Sequence, residues 1–328
     1  RPMPTNSLSV RAFEPGDLEA AAALLADRHR RHRLAEPLLD PAYEDSAAAR
    51  KEIEKLLAVE GSSAWTAVRG ETVAGYLVGI GKNADLWGPN VWMEPAGHAA
   101  DHPSVVRQLY GVAAAAWMAE GRNNHHVLVP ATDVPLVDAW FSLDFGQQQL
   151  HAVREVPPAS FGVVPRAELV VRGPTRADIP AMAELELVLP RHSQLSPLFS
   201  PVPIQPVDAV EQELLEDFDN PTYTNFVAEH DGKVVGSATA CDLGVSGSNN
   251  SLIRPASAGF LGYAAVLPEA RGLGAGTALG ETVLAWARDA GYSVIATDWR
   301  STNLEADRSW RGLGFRPTFR RLHRFVAR

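Results

Sequence analysis

The chain carries the same pattern twice, and this repetition constrains its fold more than any other feature. Val10-Arg11, Asp17-Leu18 and an alanine-rich helical run return 161 residues later as Val171-Arg172, Asp178-Ile179 and a second helical run. The same offset relates Trp65-Thr66-Ala67-Val68 and Val73-Ala74-Gly75 to Phe226-Val227-Ala228-Glu229 and Val234-Val235-Gly236. Each segment reads as strand, tight turn (Arg69-Gly70-Glu71 or Asp231-Gly232-Lys233) and strand, the signature of a β-hairpin. Later, Ala139-Trp140 with Leu143-Asp144-Phe145 matches Ser309-Trp310 with Leu313-Gly314-Phe315 at offset 170, and residues 147–156 and 317–326 then alternate polar with apolar. A tandem duplication explains this order. The expected domains are 1–156 and 169–328, with a linker over 157–168 where Pro157, Pro158 and small residues break both periodicities. Strands alternate with helices in each half, so the expected class is α/β (α+β), a central mixed twisted sheet flanked by helices in each domain.

Composition fits two globular domains. At about 150 residues per domain, 328 residues suggest two, and 46% hydrophobic against 21% charged residues can supply a core to each. The net charge of −9 argues against a nucleic-acid partner and favours a cationic ligand. No apolar run approaches the roughly 18 residues of a membrane span, and the start Arg1-Pro2-Met3-Pro4 is no signal peptide, so the expected location is cytoplasmic with no membrane partner. Cys241 is the single cysteine, which excludes an internal disulfide and a cysteine-cluster metal site; no metal is expected. Only four lysines (Lys51, Lys55, Lys82, Lys233) among abundant alanine hint at a GC-rich bacterial source.

The most informative stretch runs from an apolar strand (residues 260–266) through Leu267-Pro268-Glu269-Ala270 into Arg271-Gly272-Leu273-Gly274-Ala275-Gly276-Thr277 and then a helix. Leu279, Val283, Trp286 and Ala290 recur at helical spacing before Gly291 stops the run. Glycines let main-chain N–H groups converge, and a helix start adds its positive dipole end, so the loop suits a pyrophosphate. Arg271 adds a fixed charge. A Walker loop would need a lysine that is missing, and a dinucleotide fingerprint would need glycine where Thr277 stands.

Arg-x-x-Gly-x-Gly after a Val-x-Pro turn resembles the acetyl-coenzyme A loop of the GNAT superfamily of N-acyltransferases. The resemblance extends through the strand Val294-Ile295-Ala296-Thr297-Asp298 to Asn303, Ala306, Trp310, Leu313, Gly314 and Phe315, and back to Gly236 and Val171-Arg172. It implies a tandem GNAT-like chain whose second half binds acetyl-CoA. By resemblance, Arg271, Gly272, Leu273, Gly274, Ala275, Gly276 and Thr277 hold the pyrophosphate, Val266 meets the pantetheine arm, and Asn303 touches that arm near the thioester. Asn303 also fits a first-turn helix residue, with Thr302-x-x-Glu305 as capping box. In the first half the corresponding stretch, residues 91–103, lacks the motif and places Asp101 where an anion would sit, so its cofactor site looks decayed.

Catalytic groups are harder to find. An alkyl amine must lose a proton before it attacks, and family members often keep a carboxylate or histidine on the strand before the loop. Simple alternation places Phe260, Gly262 and Ala264 on the face of Val266, and none is a base. The resemblance puts a general-acid tyrosine at Trp310, whose indole is no useful acid. Tyr263, Ser301 and Asn303 are the remaining catalytic candidates; Asp298, Glu229 and His230 read as cap or turn residues. Arg28-His29-Arg30-Arg31-His32-Arg33 reads as a solvated helix end, His125-His126 and Trp87/Trp92 as core or surface, and Cys241 as an ordinary strand residue. The expected function is N-acetyl transfer from acetyl-CoA to a small-molecule amine in a ternary complex, by a monomer or homodimer. A non-catalytic acyl-CoA sensor and a protein-modifying acetyltransferase are the alternatives.

Overall fold

The computed structural model describes residues 7–84, 87–158, 162, 164–166, 168–200, 202–247 and 249–327. The sequence start, part of the expected linker and Ser248 fall outside the described residues. Two compact units emerge: residues 1–150 with 251–256 and 317–328, and residues 151–250 with 257–316. These units differ from the linear cut at 156/169, because the last strand of the chain belongs to the first unit. Among the described residues no helix is long and apolar enough to cross a membrane.

The first unit opens with β1 (Leu8–Ala12), α1 (Leu18–Ala35) and α2 (Ser46–Leu57). The hairpin β2 (Ser62–Arg69) and β3 (Thr72–Ala84) follows, turning at Gly70 with φ +60°. Next come β4 (Gly88–Met93), β5 (His98–Ala100), α3 (Val105–Ala119), β6 (Asn124–Pro130), α4 (Val134–Phe141) and β7 (Gly146–Glu155). The sheet order is β1-β2-β3-β4-β6, with β5 beside β3 and β4 parallel to β6. On the far side of β6 lies β13 (Arg316–Phe325), antiparallel, with Leu322 opposite Val127. One face packs on α3 and α4 through Val105, Leu109, Ala113, Trp117 and Trp140; the other packs on α1 and α2 through Ala22, Leu25 and Ile53. Leu252 and Ile253 close that second core.

In the second unit, β8 (Leu169–Arg172), α5 (Ile179–Glu186), α6 (Val188–Ser193), α7 (Val207–Glu216), β9 (Tyr223–His230) and β10 (Lys233–Asp242) repeat the opening of the first. Asp231 (φ +49°) and Gly232 (φ +71°) make the tight turn of the hairpin. Then come β11 (Gly259–Val266), α8 (Ala275–Asp289), β12 (Val294–Arg300) and α9 (Leu304–Gly312). The order is β8-β9-β10-β11-β12. Leu279, Val283, Leu284 and Ala287 form the buried face of α8; of the four residues whose spacing marks the helix, Trp286 is half-buried and Ala290 is exposed.

The repeated Val-Arg…Asp pair has a shared physical role. Arg11 binds Asp17 through two hydrogen bonds of 2.7 Å, and Arg172 binds Asp178 at 2.8 and 3.0 Å. Each aspartate also accepts the main-chain N–H three residues earlier, from Glu14 or Thr175, at the entrance to the first helix. These charge-assisted contacts hold Asp17 down to about 2, and Asp178 also lies below the usual carboxylate range for the same reason. The motif ties the first strand of each unit to its first helix.

Candidate functional site

β11 pairs in parallel with β12 only over Gly259–Leu261, opposite Ile295–Thr297. Beyond that the strands part, and a cavity of about 460 Å³ opens beside Ala264, Ala265 and Val266. The start of α8 and the first turns of α9 form its other walls, and Val188, Leu189 and His192 of α6 approach from outside the sheet.

The glycine loop lines this cavity at Arg271, Gly272, Gly274, Ala275, Gly276 and Thr277. Leu273 points away and is 43% exposed. Gly272 (φ +86°) and Gly274 (φ +84°) take left-handed backbone, which allows the chain to turn sharply into α8 with Gly274 as its N-cap. Arg271 N–H bonds the Pro268 carbonyl, and the next loop donor with a protein acceptor is Ala278 N–H, bonded to Gly274. Among the described residues, the N–H groups of residues 272–277 therefore lack a protein acceptor. They sit at the positive end of a 15-residue helix, an arrangement that suits a doubly charged pyrophosphate. Arg271 pairs with Glu305 at 2.9 Å on the rim.

The corresponding turn of the first unit is chemically different. Val105, Val106 and Arg107 N–H groups bond the carbonyls of His102, Pro103 and Ser104, and Ser104 N–H bonds His102 Nδ1. Pro103 has no N–H to give. The donors are thus consumed internally, so the loss of glycine removes an anion cradle as well as a motif. Asp101 is engaged by the Arg69 guanidinium.

Two sequence expectations for β11 need correction. Thr239 pairs with Tyr263 but Ala240 pairs with Leu261, so Gly262 is the extra residue of a β-bulge. The bulge inverts the alternation upstream of it. Leu261 and Gly259, not Phe260 and Gly262, share the face of Val266 and Ala264. The geometry at Gly259 agrees, because a Cβ there would meet Trp286 and Ala287 of α8. No base is gained by the change.

The catalytic candidates separate. Asn303 lines the cavity, is 8% exposed, and caps α9 by accepting Ala306 N–H at 3.1 Å. The cap is therefore Asn303 itself rather than the Thr302/Glu305 box. Trp310 lines the cavity with 9% exposure. Tyr263 does not reach it: its hydroxyl donates to the Leu185 carbonyl at 2.5 Å, and burial pushes the phenol well above its ordinary value. Ser301 is half-buried in the turn before α9 and does not line the cavity. Asp298 accepts from the side-chain amide of the buried Asn249. Glu229 binds Arg172, while His230 approaches Asp231 and Glu168 at the rim of the hairpin turn.

His192 is the residue that sequence reasoning missed. It is half-buried on α6 and contributes an imidazole to the cavity wall opposite the loop. Its helix is only six residues long, too short for a periodic signal to announce which side chain turns inward. Glu186, at the end of α5, is also unannounced. It is half-buried, forms no hydrogen bond or ion pair among the described residues, and is pushed up to about 7 by burial.

Comparison with known proteins agrees with this geometry. Residues 191–315 match the Acetyltransferase (GNAT) family, and the chain has a GNAT-like fold. A GCN5-related N-acetyltransferase from Sphaerobacter thermophilus is similar over 98% of this chain and 95% of its own, at 15% identity and a TM-score of 0.57. A fungal GCN5-related glucosamine N-acetyltransferase region within a multi-domain β-N-acetylglucosaminidase matches 97% of this chain and 38% of its own, at 13% identity and a TM-score of 0.55. A tandem GNAT protein of the clavulanic acid pathway aligns over 97% of both chains at 17% identity, with a TM-score of 0.47. No curated protein matches the sequence.

Proposed function

We propose that the second unit is an acetyl-CoA-dependent N-acetyltransferase acting on a small-molecule amine. The observation that carries this reading is the run of unsatisfied N–H donors over residues 272–277, set at the start of α8 on the wall of a cavity in the splayed sheet. These donors would hold the pyrophosphate, and the edge of β11 at Val266 would run beside the pantetheine arm. Bound acetyl-CoA supplies an activated acyl carbon. Asn303 and Trp310 close the cavity on the α9 side, with Asn303 placed near the thioester.

His192 is the proton acceptor in this scheme. An alkylammonium must become neutral before its nitrogen can attack, and an imidazole on the cavity wall offers a nitrogen that can accept the proton. As the new C–N bond forms and the C–S bond breaks, the amine proton passes to His192, directly or through one water. The leaving thiolate is then protonated from water. A main-chain N–H near Val266 meets the developing oxyanion. The reading assigns the first unit no cofactor, since its α3 donors are already bonded.

Coenzyme A thiol release, measured across small amines and lysine peptides, tests the proposal. An amine that accelerates release far above background hydrolysis supports it. Tight acetyl-CoA binding without turnover on any acceptor would favour a sensor, and turnover on peptides alone would favour a protein-modifying enzyme.

A further inference from the structure

The first unit contains a cavity of about 830 Å³, between α1, the start of α3 and α4, and its walls are unusual. Arg28, His32, Arg31 and Arg107 line it. The basic run of α1 is not the solvated helix end that its composition suggests. Arg28, His29 and His32 are 3%, 1% and 3% exposed, whereas Arg30 and Arg31 face solvent. Helical periodicity turns one side of the run inward.

Arg28 is buried with no carboxylate in contact among the described residues, and of the carboxylates only the charge of Asp133 acts on it from further off. Its Nη1 donates to the His98 carbonyl and its Nη2 to the Pro95 carbonyl, while Nε has no hydrogen-bond partner. Burial lowers the guanidinium to about 10, so it stays charged at neutral pH. Two carbonyl dipoles do not replace a full counter-charge, and a buried cation of this kind is costly. His32 is likewise unsatisfied: the Thr318 main chain lies beside it, yet neither ring nitrogen makes a hydrogen bond of ordinary geometry. Burial holds it down at about 3, so the ring is neutral and keeps one N–H to donate.

Two of the three acidic side chains of the wall are occupied; the third, Asp138, is exposed and makes no side-chain hydrogen bond or ion pair among the described residues. Asp101 is engaged by Arg69, and Asp133 accepts Leu136 N–H at 3.1 Å as the cap of α4. Arg31 pairs with Asp27, but the Arg107 side chain has no ion pair or hydrogen bond among the described residues. We propose that this cavity is a second ligand site, for a small organic anion bearing a carboxylate or phosphate, which supplies the counter-charge to Arg28 and the missing acceptor to His32. Arg107 closes over the anion from the rim. The bonded donors of α3 make the site unlike the glycine loop and unsuited to a pyrophosphate.

Thermal unfolding of the full chain, titrated with inorganic phosphate and with succinate at constant ionic strength, reads the site. At least one anion should raise the Tm saturably, by about 5 °C near 100 times its Kd. Arg107→Ala and Arg31→Ala, both at exposed positions, should weaken that anion at least tenfold, whereas Arg271→Ala should leave it unchanged. The proposal is overturned if neither anion gives a saturable shift, if both first-unit variants bind as tightly as the parent, or if Arg271→Ala abolishes binding. A second equivalent of acetyl-CoA, lost in Arg107→Ala, would also overturn it by making the cavity a cofactor site.

Discussion

Replacing Glu186 by glutamine should stabilise the protein, by an amount that grows with pH. Glu186 is half-buried at the end of α5 with no partner among the described residues, and burial raises its carboxyl from about 4.5 to about 7. Between these values the unfolded chain has released the proton while the folded chain still holds it. Stability therefore falls as pH rises from 4.5 to 7 and stays at the lower level above that; below 4.5 the group contributes nothing. The shift corresponds to about 3 kcal/mol at most. Glutamine keeps the shape and removes the charge, so Glu186→Gln should gain about 2–3 kcal/mol at pH 8.5 and almost nothing at pH 4. Urea midpoints of both proteins at the two pH values measure the difference directly. A gain independent of pH, or a less stable variant at pH 8.5, would refute the argument that desolvation governs this carboxyl.

The opposite sign applies to Asp17, whose folded value near 2 lies below the ordinary 3.8. Its contribution, about 2 kcal/mol, is complete above pH 4 and lost as pH falls through 2; Asp17→Asn should lose that amount at pH 7 and much less near pH 2, as read from urea midpoints. His192→Gln should lower kcat/KM for the amine by about 10²–10⁴ while the acetyl-CoA Kd changes less than about twofold. Equal losses in both quantities would make His192 a wall residue rather than a proton acceptor. Arg271→Ala should weaken acetyl-CoA by about 1–3 kcal/mol in calorimetry, since the removed charge lies on the cavity rim, where Glu305 already compensates part of it.

The repeat, the hairpins and the glycine loop were legible in the sequence because each rests on local physics: tight turns with left-handed residues, helical spacing, and glycine where backbone must converge. The Arg-Asp pair that ties each first strand to its helix was visible as a motif, though not as a contact. Three features escaped for non-local reasons. The bulge at Gly262 is set by the register of β10 against β11, so simple alternation misassigned Phe260 and Gly262. The final strand joins the first unit through pairing with β6, nearly 200 residues earlier, which no local pattern encodes. His192, Arg28 and His32 carry ordinary polar side chains whose roles depend on which way a helix face turns. The catalytic candidates were the weakest part: Asn303 reaches the cavity, but Tyr263 and Ser301 do not.

Titration calorimetry of acetyl-CoA on the full chain and on Gly274→Val tests the account most directly. Gly274 holds φ +84°, a backbone that a β-branched residue adopts only under strain, and an added Cβ would also lie 2.9 Å from the Arg166 side chain, so valine strains the turn that presents the loop donors. The account predicts one equivalent of acetyl-CoA per chain, with binding lost or weakened at least a hundredfold in Gly274→Val while the variant remains folded. Two equivalent sites per chain, or undiminished binding by Gly274→Val, would contradict the placement of the active site at the start of α8.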